Sequence, residues 1–91
     1  MQPGKFYLIA CPWDWTFVGE FVRFEGRDYI IVKNAGYFTR TGATFDKLSR
    51  AGFNANTHFH ATPDGPEQGI PAGGPWWPWR ARTPWVKVGD Q

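Results

Sequence analysis

The sequence predicts a small, mainly β protein of the α+β type: a twisted antiparallel sheet or partly open barrel, one short helix and an extended C-terminal arm. Three observations lead there. Segments rich in β-branched and aromatic residues recur between turn signals as far as Ala61. A single stretch carries both a helix start and a helix stop. Beyond Thr62 the composition shifts to Pro, Gly and Trp, which a helix or a central strand does not tolerate.

The elements follow in order. Lys5 to Cys11 is an apolar run bounded by Pro3-Gly4 and Pro12, read as a buried strand. Trp15 to Glu25 and Asp28 to Asn34 form a hairpin with a four-residue connection, Glu25 to Asp28, around Gly26. Gly19 inside the first of these strands marks a bulge or sharp bend. Tyr29, Ile30, Ile31 and Val32 are apolar on both strand faces, which requires cover on both sides. In so short a chain the second cover is expected from another subunit.

Asn34 to Thr41 reads as a separate strand ended by Gly42. Thr44 to Ala51 is the helix: Thr44 caps it, Asp46 and Arg50 suit the dipole, and Gly52 stops it. Phe45, Leu48 and Ala51 share a face and should pack on the sheet. His58 to Ala61 is a brief strand, and Trp85 to Val88 a further short one. Six of the eight prolines and four of the six tryptophans lie beyond Thr62, whereas all eight phenylalanines precede it. The expected division is a core of residues 1–61 and an arm of residues 62–91, packed on the core or on a neighbouring subunit.

Ninety-one residues suit one domain. A chain this short buries only roughly 60–65% of its unfolded surface, and small proteins offset that with disulfides, metals or oligomerisation. Cys11 is the only cysteine, so an internal disulfide is impossible. The abundant aromatics favour interfaces as well as cores, and a homo-oligomer is expected. A net charge of +2 is too balanced for a protein held on DNA by counterion release. No apolar run approaches the ~20 residues of a membrane span, and Pro12 and Asp14 interrupt any leader-like stretch. No membrane partner and a cytoplasmic location are expected.

Catalytic signatures are poor. The chain has no phosphate loop, no Gly-x-Ser-x-Gly elbow and no carboxylate pair beside a histidine. Cys11 with His58 or His60 could form a nucleophile–base pair, but a small thiol in an apolar strand is ordinarily core. The expectation is a non-enzyme with no cofactor. His58 and His60 share a strand face and could both reach one metal ion, but no third ligand is apparent, Asp64 being only near in sequence, and they suit anion or base contacts better. Trp76-Trp77-Pro78-Trp79-Arg80-Ala81-Arg82 sets aromatic faces beside guanidinium groups. That combination suits base stacking, a polyproline ligand or a membrane interface, whereas its structural role would be an arm anchored by Trp. Arg40, Arg50, Arg80 and Arg82 are candidates to clamp phosphate, which guanidinium matches bidentately.

Phe17 to Gly52 carries Val18-Gly19-Glu20, Lys33-Asn34-Ala35, Gly42-Ala43, Leu48 and a closing Gly52. This order resembles a family of small phage proteins that includes the anti-Thoeris sponge for cyclic ADP-ribose. The likeness covers about 36 of the 91 residues. It departs at Gly36, where the family often has Arg, and at Thr39 and Arg40, which replace an aromatic pair. The resemblance implies a β-rich oligomer that sequesters a cyclic nucleotide immune signal without cleaving it, in the cytoplasm of an infected bacterium. Tyr37, Phe38, Trp76, Trp77 and Trp79 would then stack bases. Arg40, Arg80 and Arg82 would take phosphates, with Arg50, His58 and His60 as further contacts. The alternative is a phage virion decoration or assembly protein whose Pro/Trp arm reaches a neighbour.

Overall fold

The computed structural model describes residues 1–12, 15–62 and 67–86. Its strands are β1 (Phe6–Ala10), β2 (Thr16–Glu25), β3 (Tyr29–Arg40), β4 (His58–Ala61), β5 (Gln68–Pro71) and β6 (Trp76–Pro78). They make one antiparallel sheet in the order β4-β3-β2-β1-β6, with β5 also pairing β3. The sheet is open: of the two arrangements expected, the barrel is not formed. The helix α1 (Phe45–Ala51) packs against β6 and β1.

β3 is a single strand of twelve residues, not the two expected with a break at Asn34. The apparent break is a bulge. Asn34 takes φ +49°, a region Asn tolerates, and the pairing slips from Val18↔Gly36 to Glu20↔Lys33. The extra residue lies on β3, opposite Gly19. A Cβ at Gly19 would sit 2.9 Å from that of Ala35, so only glycine fits against the bulge. A second slip between Phe21 and Arg23 restores the register. The hairpin closes on the Glu25↔Tyr29 pair, leaving a three-residue turn with Gly26 at φ +61° in place of the expected four-residue connection.

The bulge reverses the alternation of side chains along β3. Ile30, Val32 and Ala35 join Tyr7, Ile9, Phe21 and Ile70 in the core of one sheet face. Phe38 instead joins Leu8, Val18, Leu48 and Trp79 in the core of the other. The β1 residues Tyr7, Leu8 and Ile9 alternate between the two. Ile31 is 8% exposed within the single chain, beside Gly69 of β5. Its burial therefore needs no second subunit, contrary to the expectation from the double-faced apolar run.

The helix forms as its caps dictate. The Thr44 hydroxyl accepts a hydrogen bond from the Lys47 amide, and the Gly52 amide donates to the Leu48 carbonyl at φ +83°. Leu48 is fully buried and Phe45 packs beside it, whereas Ala51, expected on the same face, is exposed at the end of the helix.

Beyond Thr62 the chain supplies β5 and β6 to the sheet itself, both on outer positions where proline is tolerated. Trp77, Trp79 and Trp85 then close the second face against Phe6, Phe38, Phe45 and Phe59. The Trp85 indole donates to the Asn34 carbonyl at 2.8 Å, tying the last described turn to the bulge of β3. Trp85 and Val86 lie in a turn and bend, and the rest of the short strand expected from Trp85 to Val88 falls outside the described residues.

Gly74 is where this crossing is tightest. A Cβ there would collide with the Ala10 carbonyl oxygen, part of a strand whose own amide bonds the Pro75 carbonyl at 3.0 Å. Neither backbone can yield without losing that bond. Gly74→Ala is expected to destabilise the protein by about 1–3 kcal/mol, read from a urea melt with an unchanged slope.

Candidate binding clefts

The eleven residues expected to contact a ligand do not converge on one place. Phe38 is buried in the aromatic core with Phe53, Phe59 and Trp79, and offers no free face for a base. Trp77 packs on Phe45 at 5.0 Å. Trp76 points to the opposite face, edge-on to Tyr7 and 44% exposed. Arg50 pairs with Asp46 at 2.7 Å one helical turn away. Arg40 and His58 are exposed cross-strand neighbours on β3 and β4. Arg82 is exposed, and its carbonyl accepts the Trp79 indole N–H at 3.2 Å.

Two of the eleven do meet in a cleft. Trp79 and Arg80 form one wall of a hollow of about 370 Å³, whose other wall is Gln2, Lys5, Phe6 and Tyr7 at the start of β1. The chain builds it through β1–β6 pairing. Tyr7 lies opposite Pro78, the Trp79 amide donates to the Phe6 carbonyl at 2.9 Å, and the Arg80 amide donates to Ser49 of α1 at 2.7 Å. These bonds fix the Arg80 backbone and leave its guanidinium exposed. Neither Lys5 nor Arg80 forms an ion pair among the described residues. Lys5 and Gln2 escape a sequence reading because each is an isolated polar residue ahead of a strand.

Tyr37 and His60 belong to a different group. The pairing of β2, β3 and β4 sets Phe17, Tyr37 and His60 side by side. Tyr37 and His60 stack at 5.1 Å with planes 18° apart, and Trp15 stacks on Phe17 at 6.2 Å and 19°. Trp15 and Phe17 line a second, apolar cleft of about 410 Å³ with Cys11 and Pro71. Burial raises the Cys11 pKa, keeping the thiol protonated at neutral pH. It lies against the Pro71 carbonyl at 3.7 Å.

No protein-family model, curated protein or solved structure matches this chain.

Chemically, the first cleft offers cationic donors beside aromatic edges and the second offers aromatic faces without charge. Among the described residues no group of three His, Cys, Asp or Glu side chains gathers to hold a metal, and Asp64 lies outside them. No helix of the described residues is long and apolar enough to cross a membrane.

Proposed function

We propose that the protein is a non-catalytic binder that captures a cyclic nucleotide immune signal, of the cyclic ADP-ribose or cyclic oligonucleotide type, as a phage anti-defence protein in the infected cell. The observation that carries this reading is the cleft between β1 and β6. Two cations without an acidic partner among the described residues, Lys5 and Arg80, flank a hollow edged by Phe6, Tyr7 and Trp79. Phosphate recognition needs charge-assisted donors of this kind, and a base needs an apolar edge to lie against. The order of residues from Phe17 to Gly52, similar to that of the phage sponge family, supports the same ligand class.

Calorimetric titration with a panel of cyclic ADP-ribose isomers and cyclic di- and trinucleotides tests it. Submicromolar binding with the ligand recovered intact is expected. Arg80→Ala should weaken binding by about 10- to 100-fold, the usual contribution of a charge-assisted hydrogen bond, with the unfolding midpoint unchanged. Silence across the panel from folded protein would overturn the reading.

The second reading, a virion decoration or assembly protein, is favoured by the exposure of Trp15, Phe24, Tyr29 and Trp76. Trp76 and Phe24 are joined through Tyr7 and Phe21 along one sheet face, and a contiguous apolar patch left in solvent marks an interaction surface. It predicts a defined oligomer by solution mass and no nucleotide binding.

A further inference from the structure

A second binding site, independent of the basic cleft, lies at the other end of β1. Lys5 lines the first cleft and Cys11 the second, and the five residues of β1 between them set these two about 20 Å apart. The two clefts share no lining residue.

Among the described residues the lining of this second cleft is wholly apolar. Cys11, Trp15, Phe17 and Pro71 bring no charged side chain, and the thiol is neutral. An ion set against these four residues would lose hydration and gain no partner from them, which costs several kcal/mol in an apolar site. The rings, by contrast, are ordered as a platform. Trp15 and Phe17 lie nearly parallel, and Tyr37, itself stacked on His60, braces them edge-on, at 62° to Trp15 and 60° to Phe17. Trp15 holds this position while 52% exposed, so a broad indole surface faces solvent at the mouth of the cleft. A volume of about 410 Å³ lies within the range of small-molecule sites.

We infer that the cleft formed by Cys11, Trp15, Phe17 and Pro71 is a binding site for an uncharged planar aromatic molecule, stacked on the Trp15 indole. Neutrality follows from the four described lining residues, planarity from the near-parallel Trp15 and Phe17 rings, and small size from the volume. The aromatic pairs hold Trp15 in place before the ligand arrives, so little side-chain freedom is lost on binding. This site differs from the proposed nucleotide cleft in place and chemistry, and neither depends on the other.

The test uses the full chain, ¹⁵N-labelled, titrated with coumarin as a neutral planar probe and coumarin-3-carboxylate as its anionic counterpart. Coumarin is expected to bind saturably with a submillimolar Kd and to move the indole N–H signal of Trp15. The carboxylate should bind at least tenfold more weakly. Trp15→Ala should lose at least tenfold in coumarin affinity, while Arg80→Ala and added salt leave it unchanged. Trp15 is half exposed, so the variant's dispersed spectrum reports that it still folds, and the shift map of the unsubstituted chain locates the site without it. Absence of saturation, shifts centred elsewhere, equal binding of the carboxylate or an unaltered Kd in Trp15→Ala would each overturn the inference. Loss of coumarin binding in Arg80→Ala would place the probe in the nucleotide cleft and overturn it too.

Discussion

A chain ending at Gly74 is expected to show no cooperative unfolding transition. Removing Pro75 to Gln91 takes away β6, the outer neighbour of β1, together with Trp77, Trp79 and Trp85. What remains exposes Leu8, Val18, Phe38 and Leu48, which are buried in the whole protein. Three indoles bury at most roughly 150–250 Å² each, so at about 25 cal/mol per Å² the loss reaches up to about 11–19 kcal/mol. That equals the entire stability of an ordinary domain. Circular dichroism with a thermal ramp decides it. A truncated chain that still melts in one sharp step would show that this segment is an appendage and that the β1–β5 sheet closes its own core.

Trp79→Ala asks the same question at a single side chain. Trp79 is 8% exposed and meets Phe38, Phe53 and Trp85 with ring centroids about 6 Å apart. Truncating a buried aromatic to alanine costs about 3–5 kcal/mol, from lost transfer energy and the cavity left behind. In a domain of this size the melting temperature should fall by more than about 12 °C. Trp79→Phe keeps a ring in the cluster and loses the indole hydrogen bond to Arg82, so its drop should be distinctly smaller. A shift of only a few degrees for the alanine variant would mean that the cluster collapses over the gap, or that Trp79 is less closely packed than its neighbours indicate.

Local signals in the sequence were legible where one residue settles the geometry. Thr44 and Gly52 bracket the helix because a side-chain oxygen and a left-handed glycine satisfy its ends. The β2–β3 hairpin is evident from Gly26 between two runs of β-branched and aromatic residues. The continuity of β3 was hidden, because Asn34-Ala35-Gly36 has turn composition. Only pairing with Gly19 across the hairpin shows those residues to be a bulge within one strand. The fate of the tryptophans was hidden too. Their spacing in the segment after Thr62 does not say which faces the sheet, and the division between exposed Trp76 and buried Trp79 is set by the antiparallel match of Trp76 to Ile9 and Pro78 to Tyr7. The ring row at Trp15 joins residues from three strands and has no sequence signature until the register is known. Lys5 and Arg80 come together for the same reason, from opposite ends of the chain.

That last pairing has a consequence for how the protein is made. The β2–β3 hairpin is local and forms as soon as its turn is synthesised, and β1 can join it at once. The partner that completes β1 on its other side lies some seventy residues later, and the Trp85 that closes over the Asn34 bulge comes later still. Until that segment is made, the nascent chain carries one uncovered apolar face, with Leu8, Val18 and Phe38 waiting for a cover encoded far downstream of β1. In that interval the chain is exposed to chaperones and to other copies of itself.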